Sequence, residues 1–181
     1  MRRKLVSGIA VCLLAALGAH AQTEKGNWLV GGNFQLNTTS TNTVIGVTPM
    51  GGKFVVKNLA VGADVNLTYN KAGSDKVTQF SVGPFARYYF LNGPAKPLVQ
   101  AGIGFLSTKS SGAGYSSTNN GTTYFLGGGL AYFINDNVSL EGVAGYNHTK
   151  INSYSGSGGF LFTIGFQVYL HSDEVEKLRG K

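Results

Sequence analysis

Residues 160–170 read Phe-Leu-Phe-Thr-Ile-Gly-Phe-Gln-Val-Tyr-Leu. Phe160, Phe162, Ile164, Phe166, Val168 and Leu170 are apolar at every second position, with Leu161, Thr163, Gly165, Gln167 and Tyr169 between them. Side chains of a strand point alternately to opposite faces, so this segment has one continuous apolar face and one mixed face. Nothing after residue 21 is apolar for the roughly 20 residues that a spanning helix needs. A chain that must cross a bilayer with such strands has to close them into a barrel, because an open edge leaves backbone groups unpaired in hydrocarbon.

Seven further segments alternate in the same way. Residues 27–37 put Trp28, Val30, Gly32, Phe34 and Leu36 on one face. Residues 44–56 are read with Met50, Gly52, Phe54 and Val56 outward and Lys53 inward. Ile45 and Val47 break that parity, so a bulge is expected near Pro49, which cannot donate to a ladder. Residues 59–70 set Leu59, Val61, Ala63, Val65, Leu67 and Tyr69 against a face holding Asp64. Residues 77–91 set Phe80, Val82, Ala86, Tyr88 and Phe90 against a face holding Arg87. Segments 97–107, 122–134 and 138–147 follow, the last with Leu140 outward and Glu141 inward. About ten residues at a steep tilt cross a hydrocarbon core of some 25 Å. The expected fold is therefore all-β, an eight-stranded antiparallel up-and-down transmembrane β-barrel.

The connections alternate in kind. Lys57-Asn58, residues 92–96 and Asn135-Asp136-Asn137 are short and rich in turn formers. Residues 38–43, 71–76, 108–121 and 148–157 carry Ser, Thr, Gly and Asn and are read as loops at the opposite end. Short periplasmic turns and longer external loops are the pattern of outer-membrane barrels.

Met1 to Ala21 has the plan of a cleaved secretory signal: basic Arg2, Arg3 and Lys4, an apolar run from Leu5 to Leu17, and Ala19-His20-Ala21 as a small-x-small site. Residues 22–170 then form the barrel domain, and 171–181 a short polar periplasmic tail. Cys12 is the single cysteine and lies in the leader, so no disulfide or thiolate metal site is expected in the exported chain. Fifteen basic residues face eight acidic ones, but three of the basic ones belong to the leader. The remaining excess is scattered, which argues against nucleic acid as a partner. Charged residues are 13% of the chain, against about 25% in a typical soluble domain.

Lys53, Asp64, Arg87 and Glu141 all fall on the parity read as inward, each about five residues from a short turn. They are expected to form a structural charge cluster in the lumen, Lys53 with Asp64 and Arg87 with Glu141. Trp28, Tyr88 and Tyr132 fall outward near the short-turn end, and Tyr69, Tyr124 and Tyr146 outward near the loop end. That spacing predicts two aromatic girdles.

The last strand matches the carboxy-terminal assembly pattern of outer-membrane barrels through Thr163, Gly165, Val168 and Leu170. Residues 48–69, with Thr-Pro-Met-Gly-Gly-Lys-Phe and Lys-Asn-Leu-Ala-Val-Gly, resemble the small eight-stranded outer-membrane barrel family related to OmpX and the OmpA membrane domain. Asn135-Asp136-Asn137-Val138-Ser139-Leu140-Glu141 is similar to a second signature of that family. The resemblance covers residues 26–170. It implies insertion machinery and periplasmic chaperones as assembly partners, and Thr163, Gly165, Val168 and Leu170 as the residues they read. The chain departs from many members by continuing past Leu170.

Gly26-Asn27-Trp28 resembles the Gly-x-Trp of lipocalins, but a soluble barrel would need a charged outer face. His148 lacks a serine at position 150, where Lys150 stands, so no local nucleophile and base pair forms. Gly127-Gly128-Gly129 lacks the context of a phosphate loop. No catalytic, cofactor-binding or metal-ligating residues are expected. The expected role is a structural or surface-interaction barrel, a monomer in outer-membrane lipid, with a surface ligand reached through 108–121 and 148–157. The alternative is passive permeation of small or apolar solutes. A lipid-modifying enzyme or a secreted lipocalin-like binder is further off.

Overall fold

The computed structural model describes residues 22–112, 114–151, 156–172 and 175. The expected leader, 1–21, and most of the expected tail lie outside the described residues. Eight strands follow one another: β1 (Trp28–Thr38), β2 (Asn42–Val56), β3 (Leu59–Ala72), β4 (Asp75–Tyr89), β5 (Ala95–Gly112), β6 (Tyr115–Phe133), β7 (Val138–Ile151) and β8 (Ser157–Leu170). Each pairs antiparallel with its neighbours in sequence, and β1 pairs with β8 from Trp28↔Leu170 to Phe34↔Ile164. The sheet closes on itself, leaving no edge strand.

The period-2 pattern follows from where the two faces go. The outer wall carries Phe34, Phe80, Phe105, Leu126, Leu140, Phe160, Phe162 and Phe166, all exposed, with Phe160 88% and Phe105 77% accessible. A wall of this kind is stable only against hydrocarbon, which removes the soluble lipocalin reading. The inner face holds Leu29, Met50, Phe54, Phe85, Tyr89, Leu98, Phe133, Val143 and Tyr169 as a buried core. That core lies at one end. The same end, here the base, holds Gln22, Leu170 and the connections β2–β3, β4–β5 and β6–β7. The opposite end is the rim.

Three expectations from sequence are corrected. First, β2 has the opposite face assignment. Met50, Gly52 and Phe54 are buried, while Ile45, Val47, Pro49, Gly51, Lys53 and Val55 face out. Ile45 and Val47 therefore break no parity. Second, the register shift falls between Phe54 and Val56, not near Pro49, which pairs with Gly32 in an unbroken β1–β2 ladder. Pro49 sits on the outward face and the ladder passes it without slipping. Third, most of 108–121 is strand: Thr108 pairs with Asn119 and Gly112 with Tyr115. Likewise β7 runs to Ile151 and β8 starts at Ser157, and residues 152–155 lie outside the described residues. At 71–76 the link is only Gly73-Ser74, with Gly73 at φ 59°, a backbone that glycine adopts without strain.

Candidate functional site

The barrel interior divides into a plugged base and a cup open toward the rim. At the centre of the plug is Arg87 on β4, an inward position on a strand whose other face meets lipid. Its Nη1 donates to Glu141 Oε2 of β7 at 2.5 Å, and neither side chain is accessible. Nη1 also donates to Tyr89 Oη at 3.1 Å, while Nε and Nη2 donate to Gln100 Oε1 at 3.0 and 2.5 Å. The other carboxylate oxygen, Glu141 Oε1, accepts from Tyr169 Oη at 3.0 Å, Ser139 Oγ at 3.2 Å and Tyr89 Oη at 3.3 Å. A buried ion pair holds only when its remaining donors and acceptors are met, and here four strands supply them.

Beneath this network the rings of Phe54, Tyr89, Phe133 and Tyr169 pack together, with Phe133 and Tyr169 centroids 4.8 Å apart. The segment ahead of β1 then folds across the base. Gly26 N donates to Phe54 O, Asn58 N to Thr23 O and Lys96 Nζ to Thr23 Oγ1 at 3.1 Å. Gln22, Thr23 and Lys96 are buried there. Lys96 also lies over the Phe133 ring at 5.2 Å. Sequence alone places Lys96 in a turn and gives residues 22–25 no role. The inward parity of the expected segment 97–107, extended one residue back, reaches Lys96.

The four charges are not one cluster. Arg87 and Glu141 meet. Asp64 faces inward, higher on β3, and lines the cup; among the described residues it forms no ion pair. Lys53 faces out, its Nζ 5.3 Å from the centre of the Trp28 ring. The expected Lys53–Asp64 pair is therefore corrected: β2 presents Lys53 to the membrane interface, opposite Val61, and Met50 stands opposite Asp64. Alternation fixes two faces but does not say which meets lipid, and an apolar plug gives the inner face of β2 the greasier residues.

The cup is a cavity of ≈ 320 Å³. Its wall includes Asn33, Asp64, Asn66, Gln79, Thr123 and Asn147, and among the described residues Asp64 is the one charged side chain on it. Cross-strand bonds stiffen it: Asn66 Nδ2 donates to Thr48 Oγ1 at 2.7 Å and Thr123 Oγ1 to Asn147 Oδ1 at 2.8 Å. Its depth ends on the Arg87 layer.

Tyr88, Tyr132, Tyr69, Tyr124 and Tyr146 are exposed on the outer wall, and Trp28 is half-buried. Trp28, Tyr88 and Tyr132 lie toward the base and the other three toward the rim. Thr163 faces the cup, Gly165 is buried against β1, and Val168 and Leu170 lie outward on the last turn of the wall. His148 faces out on β7 beside Tyr124. Among the described residues no group of three His, Cys, Asp or Glu could hold a metal ion.

A closed barrel of eight antiparallel strands with an apolar outer wall and a polar, plugged interior defines a transmembrane barrel of the outer-membrane type. Residues 7–169 match the family model described as outer membrane protein beta-barrel domain. The chain belongs to that family, and its place is the bacterial outer membrane. Solved structures agree on the fold. Neisserial surface protein A is 21% identical, with a TM-score of 0.64 over 80% of this chain and 97% of its own. The N-terminal β-barrel domain of Pseudomonas aeruginosa OprF is 16% identical, with a TM-score of 0.55 over 81% of this chain and 98% of its own. Ail, the attachment invasion locus protein of Yersinia pestis, is 15% identical, with a TM-score of 0.53 over 81% of this chain and 99% of its own. Among curated proteins there is no match.

Proposed function

We propose that this barrel is a non-catalytic, non-conducting surface protein whose wall anchors it and whose rim hairpins make contacts outside the cell. The plug carries this reading. Arg87, Glu141, Tyr89 and Tyr169 cross the lumen as a hydrogen-bonded layer, and the Gln22–Asn27 segment lies beneath them. A solute entering from the rim reaches the floor of the cup and stops. Above the wall, β5 and β6 run for 18 and 19 residues, where a crossing needs about ten. The surplus lifts the β5–β6 hairpin roughly 25 Å along the strand beyond the crossing length. Its Ser, Thr and Asn face water. Two structural relatives bear names that speak of the surface and of attachment, which suits this reading. Insertion machinery reading the end of β8, and a monomer in the membrane, belong to the same proposal.

Planar-bilayer recording tests it. The intact protein gives no steady open-channel current, and a variant combining Tyr169→Ala and Arg87→Ala with deletion of residues 22–27, which takes out the hydrogen-bonded layer and the segment beneath it, does. Ohmic conductance from the unmodified protein would favour the permeation alternative instead.

A further inference from the structure

Four strands carry the same outward series near the rim. On β3 it is Leu67, Tyr69, Lys71. On β4, read upward, it is Phe80, Thr78, Lys76. On β5 it is Phe105, Ser107, Lys109, and on β7 Tyr146, His148, Lys150. In each, an aromatic residue on the wall is followed within two or four positions by a lysine on the same face. All four lysines are exposed.

Among the described residues none of the four has an acidic partner: the ion pairs there are Lys57–Glu24 and Arg87–Glu141, and neither involves these lysines. The one acid on the rim half of a strand near them, Asp75, has inward parity on β4. Lys71 and Lys76 stand directly opposite one another in the β3–β4 ladder. Like charges in that position destabilise a strand pair. Lys109 pairs with Thr78, one outward step from Lys76, so three lysines occupy neighbouring outward positions on β3, β4 and β5. The base is different: there Lys57 has Glu24, and Lys53 rests on Trp28.

We propose that this belt binds the phosphate groups of a phosphorylated glycolipid in the outer leaflet. Its position selects that occupant. The lysines lie just beyond Tyr69, Tyr124 and Tyr146, on the face continuous with the lipid-facing wall, where acyl chains give way to headgroups. A flexible lysine stem lies along the wall while its ammonium reaches outward. An anion bridging Lys71 and Lys76 turns a repulsive pair into a bound one. A soluble acidic partner would first meet the projecting end of the β5–β6 hairpin, where residues 110–120 carry no lysine; the four lysines lie below it, on the outer face that continues into the lipid-facing wall.

The test uses the full chain folded in zwitterionic detergent, incubated with bis-phosphorylated lipid A, washed, and analysed by mass spectrometry for retained glycolipid. Heat-modifiable gel mobility reports folding. The protein retains bis-phosphorylated lipid A and releases a fully dephosphorylated form. Each lysine near an anionic surface contributes about a fivefold gain, so replacing all four by Gln lowers retention by at least about tenfold. Lys53→Gln, at the other end, leaves it unchanged. The double variant Lys71→Gln/Lys76→Gln gives a sign reversal: at least as stable as the parent in zwitterionic bilayers, less stable than the parent in bilayers containing lipid A. Equal retention by the quadruple variant, or equal retention of dephosphorylated lipid A, overturns the proposal. So does displacement of the glycolipid by millimolar inorganic phosphate, or capture of heparin in preference to it, since either marks a site for a soluble anion.

Discussion

Arg87 on β4 and Glu141 on β7 meet inside the barrel at 2.5 Å, 54 residues apart in sequence and with no side-chain exposure. Neither strand touches the other in the sheet: β5 and β6 lie between them. The pair therefore ties the wall across its lumen rather than along it. Removing one partner leaves a buried charge unmatched, whereas removing both leaves polar groups that Gln100, Tyr89 and Tyr169 can still engage. Glu141→Gln is expected to destabilise the barrel by about 3–5 kcal/mol, and Glu141→Gln with Arg87→Gln by less. Urea unfolding in liposomes measures both. A double variant weaker than the single one would show that the ion pair is not the main contribution of these side chains.

The hydroxyl of Tyr169 gives the next prediction. It donates to Glu141 Oε1 and lies 3.0 Å from Tyr89 Oη. Tyr169→Phe keeps the ring on Phe133 and Phe54 and deletes only the hydroxyl. Glu141 Oε1 retains Ser139 and Tyr89, so the expected loss is about 1–3 kcal/mol. The same unfolding assay, with Tyr169→Phe placed in the Glu141→Gln background, should show that loss shrink. Full additivity would mean that Tyr169 and Glu141 are not energetically coupled.

How much of this could be read from the sequence depends on what each face meets. Where a strand has lipid on one side and the polar cup on the other, as β3 and β7 do, alternation assigned Asp64 and Glu141 to the lumen and Leu67 and Leu140 to the wall. At β2 the signal inverts. Its inner face feeds the apolar plug through Met50 and Phe54, while its outer face reaches the interface with Lys53. Hydrophobicity alone then points the wrong way. The rim hairpins misled for another reason. Ser107 to Gly112 and Tyr115 to Gly121 lie beyond the hydrocarbon, so no apolar face is demanded, and their Ser, Thr, Asn and Gly look like loop residues although every one is paired. The floor made by Gln22–Asn27 left no periodic signal at all. It depends on single contacts such as Lys96 with Thr23, which only the folded geometry brings together.

Face assignment on β7 is tested by two arginines. Leu140 is 51% exposed on the wall, and Asn147 lines the cup. Leu140→Arg puts a cation into lipid and is expected to cost roughly 2–4 kcal/mol if it lies near the midplane. Asn147→Arg projects into a polar cavity on whose wall Asp64 offers a counter-charge, and should stay within about 1 kcal/mol of the parent. Unfolding in liposomes ranking the two in reverse would invalidate the inward and outward assignment of this strand.

Gly165 separates two explanations for the same residue. It belongs to the terminal pattern expected to guide assembly, and it also sits on the seam where β8 closes against β1, opposite Asn33. A Cβ built there collides with the Gly32 carbonyl oxygen and the Asn33 side chain, and comes within 3.0 Å of Asn33 Cα. The Gly32 oxygen is backbone inside a ladder and cannot swing away, so the seam itself must shift. Overpacking of this kind typically costs about 1–3 kcal/mol. Gly165→Ala should therefore fold poorly in vitro, in detergent or liposomes where no insertion machinery is present. Leu170→Ser is the contrasting variant. Leu170 lies at the end of the wall opposite Trp28, and a serine there creates no clash. It should refold in vitro much as the parent does and fail in cells if the terminal pattern is read during insertion. If Gly165→Ala instead refolds normally in vitro and fails only in cells, the seam tolerates the methyl group and recognition alone explains the glycine.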